Sequence, residues 1–359
     1  MCIACGTRID PAKQNAFADR LLETLNHGVT CLMISLGHRT GLFDVMADGQ
    51  ARTSEQLARD AGLNERYVRE WLGGMVAARI VERDPAAKTH RLPPEHAHWL
   101  TRHCPTDNMA IFAQYVGALG YVEDQVLDCF KQGGGVPYAA FPRFHDVMEE
   151  DSGQSIVPII VDRLVPLIPG LHERLTQGID VLDIGCGRGR ALMQLARAYP
   201  NSRFTGYDLS DEAIAYAQHH ADEAGLTNLR FVQKDLTDWQ EAQAFDWITA
   251  LDAIHDQARP DKVLAAIRHA LRPGGVFLMQ DIDASSEPVD NIEHPMGALL
   301  YGVSCMHCMT VSLAQGGMGL GATWGRQLAE QMLREAGFDD IRTHRFEHDV
   351  QNVYFTMQT

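Results

Sequence analysis

The chain has 359 residues, of which 45% are apolar and 22% charged, and it carries a formal charge of −16. Those proportions describe a folded globular protein large enough for two domains. The negative balance argues against nucleic acid and anionic membranes as general partners, because binding phosphates needs clustered cations.

The N-terminus, Met1-Cys2-Ile3-Ala4-Cys5-Gly6-Thr7-Arg8, has no apolar core of a secretory signal. With no export signal, the eight cysteines are expected to be reduced thiols in a cytoplasm. No membrane span is expected. The best apolar run, 156–171, is broken by Asp162, Arg163 and three prolines.

Three segments follow in order, 1–103, 104–177 and 178–359. In the first, Ala16–Leu25 and Cys31–Met46 read as two helices. Thr53-Ser54-Glu55-Gln56 opens a third with a capping residue, and Gly62 closes it. Another begins at Asn64. Ile80–Arg83, a turn at Asp84-Pro85, and His90–Leu92 read as a hairpin. Helix, turn, helix and hairpin make a winged-helix pattern. The second segment is helical, interrupted at Gly133-Gly134-Gly135-Val136-Pro137, and rich in aromatics such as Tyr138, Phe141 and Phe144.

The third segment alternates strand and helix. Strands are expected at 179–183, 203–207, 229–232, 246–251 and 275–281. A helix at 325–336 and strands at 340–346 and 351–357 close the chain. This is an α/β pattern, a doubly wound Rossmann-like sheet with an antiparallel edge. The first strand runs into Asp183-Ile184-Gly185-Cys186-Gly187-Arg188-Gly189. Glycines at alternate positions let the backbone take positive φ and let a ligand approach closely. A dinucleotide loop needs Gly-x-Gly-x-x-Gly, and its last glycine would fall at Arg190. An NAD-dependent oxidoreductase is therefore disfavoured.

Acids recur at the ends of the following strands, where open α/β sheets bind ligands. The second strand ends in Tyr207-Asp208-Leu209, the third is followed by Asp235-Leu236, and the fourth ends in Leu251-Asp252-Ala253-Ile254-His255-Asp256. A carboxylate at Asp208 can accept from both hydroxyls of a ribose. Asp235 can accept from an adenine amine, with Leu236 packed on the ring.

The order Asp-x-Gly-x-Gly-x-Gly, then these acids, resembles the class I methyltransferases that use S-adenosylmethionine. The resemblance covers 178–359. It implies a seven-stranded methyltransferase sheet, with Asp183, Gly185 and Gly187 along the methionine half of the cofactor, Asp208 and Leu209 at the ribose, and Asp235 and Leu236 at the adenine. With the winged helix ahead of it, the chain resembles two-domain small-molecule methyltransferases of bacteria, in which that module pairs subunits, so a homodimer is expected. The implied acceptor is a small molecule methylated on oxygen or sulfur, and the resemblance does not name it.

His255 is the candidate general base, because an imidazole with a pKa of about 6.5 suits proton removal from a hydroxyl. Asp252 or Asp256 is placed to orient it, and Asp252 also falls beside the cofactor. His145, in Phe141-Pro142-Arg143-Phe144-His145, is a second candidate on a loop able to act as a lid. Tyr138 is placed to stack on the cofactor. The insertion 283–324, with Met296, Cys305, His307, Cys308 and Met309, is the expected acceptor wall.

A small-thiol acceptor would need no strong base. Cys2-x-x-Cys5 and Cys305-x-x-Cys308 have zinc-site spacing, but nothing in the sequence joins them, and no metal is expected. A winged-helix regulator sensing S-adenosylmethionine is the remaining reading. It rests on helix 64–79 with Arg66, Arg69 and Arg79, whose basic face Glu65, Glu70 and Trp71 dilute.

Overall fold

The structure, a computed structural model, describes residues 5–104, 108–347 and 349–359. It divides into two compact units, Met1–Gly117 and Ala118–Thr359.

The first unit opens with α1 (Pro11–Arg39), a single helix where two were expected. Asp10 caps it, its carboxylate accepting from the backbone of Ala12 at 2.9 Å, and Pro11 takes the first turn. Between Leu25 and Cys31 only Gly28 weakens the helix, and an isolated glycine costs too little to break it. The break comes at Gly41, whose φ of +72° starts the short α2 (Leu42–Val45).

The capping box expected at Thr53 is present and begins α3 (Ser54–Ala61). Asn64 caps α4 (Glu65–Ala77). The wing is β1 (Glu82–Asp84) paired with β2 (Thr89–Arg91), followed by α5 (Pro94–Leu100) and α6 (Met109–Gly120). Val68, Trp71, Leu72 and Met75 turn α4 toward a core shared with Phe43 and Leu57. Trp71 donates its indole N–H to the carbonyl of Met33 at 2.8 Å, pinning α4 to α1.

The second unit contains α7 (Glu123–Gln132), α8 (Phe144–Ser155) and α9 (Leu171–Gln177) ahead of the sheet. Strands and helices then alternate: β3 (Asp180–Ile184), α10 (Arg190–Ala198), β4 (Arg203–Asp208), α11 (Asp211–Glu223), β5 (Leu229–Gln233), β6 (Phe245–Leu251), α12 (Pro260–Ala270) and β7 (Leu271–Ile282). The insertion carries α13 (Gly297–Val303) and α14 (Met309–Ala314), and α15 (Gly325–Glu335), β8 (Arg342–His344) and β9 (Asn352–Gln358) finish the chain.

The seven strands lie in the order β5-β4-β3-β6-β7-β9-β8. The first five are parallel, and β9 runs antiparallel to both β7 and β8. Neighbouring residues of one strand feed opposite cores. Leu182 and Ile184 pack with Val263, Leu264 and Leu333, while Val181 packs with Leu192, Leu195 and Phe204. Burial on both faces is why these strands read as continuous apolar runs. The order reverses between β3 and β6, which opens the crevice where such sheets bind ligands.

The apolar run 156–171 folds into a π-helical turn and a 3-10 turn against the second core, with Ile160, Leu164 and Val165 buried. The longest apolar helical stretch is instead Gly297–Ala314, 18 residues joining α13 and α14 through a π-helical turn at Ser304–Cys308. It meets the length and hydropathy of a membrane span. Its Leu300 and Cys308 pack with Ile282, Ala284 and Ala322 at the end of β7.

Candidate active site

The glycine loop joins β3 to α10 with φ of +66° at Gly185 and +51° at Gly187. A Cβ on Gly185 would lie 2.4 Å from that of Ala253, so the absent side chain lets the loop meet the segment after β6. A Cβ on Gly187 would face open space. Gly187 donates its backbone N–H to Asp208 Oδ2 at 2.8 Å, and Ser210 donates to Oδ1 at 2.9 Å. Asp208 thus holds the loop while each of its oxygens keeps a lone pair to offer.

Asp183 is buried and accepts from the Thr249 hydroxyl on β6 at 2.6 Å. Burial pushes its carboxyl up to about 7, against the Thr249 hydroxyl and with help from the Asp208 charge. In the unfolded chain an aspartate titrates near 3.9. The stability supplied by the protonated form is therefore complete below about pH 4 and lost as pH rises to about 7. Asp183→Asn, whose carbonyl still accepts from Thr249, suffers no such loss. Its stability advantage is expected to widen by on the order of 2 kcal/mol between pH 5 and pH 8. Denaturant melts at the two pH values measure this, and a gap that stays constant would reject the buried-acid assignment.

Past β6, Asp252 has a φ of +57°, a left-handed backbone uncommon outside glycine, and donates its N–H to the carbonyl of Gln280 at 3.0 Å. Burial, aided by Asp281 and Asp256 and opposed by His255, pushes the Asp252 carboxyl up to about 7. His255 is 2% exposed and three carboxylates surround it. The residue that orients it is Asp281, at the end of β7, which accepts from Nδ1 at 2.9 Å. Of the two expected partners, Asp252 stands 3.9 Å from the same nitrogen and Asp256 faces Nε2 at 3.3 Å. Trp324 and the backbone N–H of Ile282 fix Asp281 Oδ1 at 2.9 and 2.8 Å. Burial alone would lower the imidazole's pKa. The charges of Asp281 and Asp256 outweigh it and hold His255 well above its usual value.

Asp281 was legible by the same logic as the other acids, since it ends the fifth expected strand. Thr249 and Trp324 carry no such signal, because their partners are set only by tertiary packing.

The aromatic segment closes over this region. Tyr138 lies 4.8 Å from the His145 ring and 5.2 Å from that of His307, and Phe144 stacks on His307 at 3.4 Å. Val136 donates its N–H to the Thr310 hydroxyl at 2.8 Å, tying the segment to the insertion. Burial lowers the pKa of His145, whose Nε2 is 3.7 Å from Glu212. Burial also drives His307 well below its ordinary value. Arg188, from the glycine loop, binds Asp146 and Glu149 of α8 and Glu212 of α11, with its guanidinium over the Tyr216 ring.

Two expected contacts look different in place. Leu236 is buried in the core with Tyr207 and Trp239. Asp235 is exposed and accepts from the backbone of Thr237 at 2.8 Å. Leu209 is exposed beside Asp208. Of the two cysteine pairs, Cys5 is exposed and Cys2 lies outside the described residues.

A methyltransferase sheet with its ligand crevice at the β3–β6 switch point, preceded by a winged helix, defines the class. Residues 28–102 match an Rv2258c-like winged HTH domain and residues 175–337 a methyltransferase domain. The chain thus carries a winged-helix domain followed by a methyltransferase domain.

It is 35% identical over 106 residues to the fatty-acid O-methyltransferase of Mycolicibacterium smegmatis, a match spanning 29% of this chain and 38% of that one. It is 32% identical over 165 residues to the ubiquinone biosynthesis O-methyltransferase of Maricaulis maris, spanning 43% and 64%. The chain thus spans less than two thirds of the length of either relative. The fold also matches human N-acetylserotonin methyltransferase in complex with SAM, with a TM-score of 0.66, 17% identity and coverage of 98% and 99%.

Proposed function

We propose that the protein transfers a methyl group from S-adenosylmethionine to an oxygen, or alternatively a sulfur, of a small molecule. The observation that carries this is the joining of the strand-end groups at one crevice. Gly187 is bonded to Asp208, Gly185 abuts Ala253, and His255 next to it is oriented by Asp281.

The residues present fit the donor. Asp208 keeps acceptor capacity for two ribose hydroxyls, Gly185 and Gly187 leave room beside the loop, and Asp183 and Asp252 suit a cationic ligand. Tyr138, whose ring lies beside His145 and His307, is the residue assigned to pack on the bound donor. When bound, S-adenosylmethionine supplies a methyl already activated on a sulfonium. The chain's own work is to align the acceptor and exclude water, for which effective molarities of roughly 10⁵–10⁸ M are available. His255 receives the acceptor's proton on Nε2 while Asp281 holds Nδ1–H. A base so prepared favours a hydroxyl acceptor over a thiol, in keeping with the O-methyltransferase names of both relatives.

A radiolabelled methyl-transfer screen across phenols, carboxylates, small thiols and amines tests this reading. Transfer to a phenol or carboxylate is expected. Labelling of amines alone, or of nothing, would reject it.

We also propose that the first unit pairs two copies of the chain. On α1, Phe17, Leu21, Leu25, Val29, Leu32 and Leu36 recur at helical spacing and are between 43% and 68% exposed. Such a stripe is costly to leave in water. Sedimentation is expected to find a dimer, and Leu21→Asp with Leu25→Asp a monomer; a wild-type monomer would contradict the pairing. A DNA-binding role is disfavoured, because Arg66 and Arg69 on α4 already pair with Glu70 and Glu65. Free thiols at Cys186 and Cys308 suit a reducing, cytoplasmic setting.

A further inference from the structure

We propose that His255, Asp256 and Cys308 form a binding site for a divalent transition-metal ion of the zinc class. An imidazole nitrogen, a carboxylate oxygen and the thiol sulfur of these residues lie within 4.8 Å of one another. Two come from the segment after β6, and the third ends the π-helical turn of the insertion. Only the fold joins them.

Three observations support a shared ligand point. First, His255 Nε2 and Asp256 Oδ1 are 3.3 Å apart. A tetrahedral zinc with N and O ligands at about 2.0–2.1 Å has an N···O edge of about 3.3 Å. Second, Asp256 Oδ1 is buried and, among the described residues, receives no hydrogen bond of good geometry, although the Cys308 thiol lies beside it. The buried Asp256 oxygen is balanced by the His255 imidazole 3.3 Å away, whose proton a metal ion bound between the two would displace. Third, the far edge of the imidazole is already fixed: Asp281 accepts from Nδ1 at 2.9 Å, so Nε2 is the nitrogen turned toward Asp256. A carboxylate behind a histidine is the usual support of a zinc ligand.

Asp281 itself is excluded as a ligand through Oδ1, which accepts from His255, Trp324 and Ile282. One nitrogen, one oxygen and one sulfur favour zinc over magnesium or calcium, which take oxygen. Three protein ligands leave a fourth position open. Nε2 is also the atom that takes the acceptor's proton in the reading above. If that reading holds, bound zinc occupies the same lone pair and inhibits transfer; the binding itself does not depend on it.

The test is a titration of the full chain with zinc and then cobalt(II), without methyl donor or acceptor. The background is Cys2→Ser and Cys5→Ser, which removes the thiols of the N-terminal Cys-x-x-Cys pair. One equivalent of zinc per chain is expected, with a near-ultraviolet thiolate-to-cobalt charge-transfer band. Cys308→Ser is expected to abolish the band, and Asp281→Asn to weaken zinc binding about 10–100-fold. Cys305→Ser is expected to bind as the background does. Absence of stoichiometric zinc, or a band that survives Cys308→Ser in a protein with unchanged circular dichroism, would overturn the site. Because no turnover is read, a failed methyl-transfer screen leaves this result standing.

Discussion

Asp208→Ala is expected to lower affinity for S-adenosylhomocysteine by about 10²–10⁴-fold. The carboxylate offers charged acceptors to two ribose hydroxyls, and hydrogen bonds to charged groups contribute about 1.5–3 kcal/mol each. The same substitution frees the Gly187 N–H, which Asp208 accepts at 2.8 Å, and so loosens the loop that borders the methionine half. Asp208→Asn separates the two effects. Its carbonyl can still hold Gly187, so an intermediate loss is expected. Calorimetry reads all three proteins, and an alanine variant with unchanged affinity would reject the ribose assignment.

His255→Ala is expected to slow turnover by about 10²–10⁴-fold while cofactor affinity stays within a few-fold. The pH profile adds a signature that a structural role would not give. An imidazole accepts a proton only when neutral, and the Asp281 and Asp256 charges hold His255 well above its usual pKa. The competent fraction therefore grows as pH rises toward that raised pKa. Turnover of the wild type is expected to rise with pH through this range. Asp281→Asn removes the main charge favouring the imidazolium and should move the rise to lower pH. Near-normal turnover in His255→Ala, or a profile that Asp281→Asn leaves in place, would sink the base role.

The fold was legible where the signal is local. The capping box at Thr53, the glycine loop after β3 and the apolar strands all announce themselves in consecutive residues. The single α1 was not, because a lone Gly28 resembles a break and only the helix's own continuity overrides it. The site was half legible. Asp183, Asp208 and Asp252 stand at strand ends, where topology alone puts them in the crevice. Sequence proximity offers Asp252 and Asp256 as partners of His255, whereas Asp281, at 2.9 Å from Nδ1, is brought there only by the pairing of β6 with β7. Leu236 shows the converse: its position in the chain suited an adenine contact, but packing against Trp239 decides where an apolar side chain goes.

Arg188 has a thermodynamic consequence. One guanidinium belongs to the glycine loop and at the same time grips α8, next to the aromatic segment. Anything that orders the loop then also orders α8, and the reverse. With the donor at the loop and the acceptor under the aromatic segment, as proposed above, the two affinities would share a coupling free energy equal in both directions. A chain so built rewards sequential loading, with the second ligand arriving at a surface the first has already made rigid.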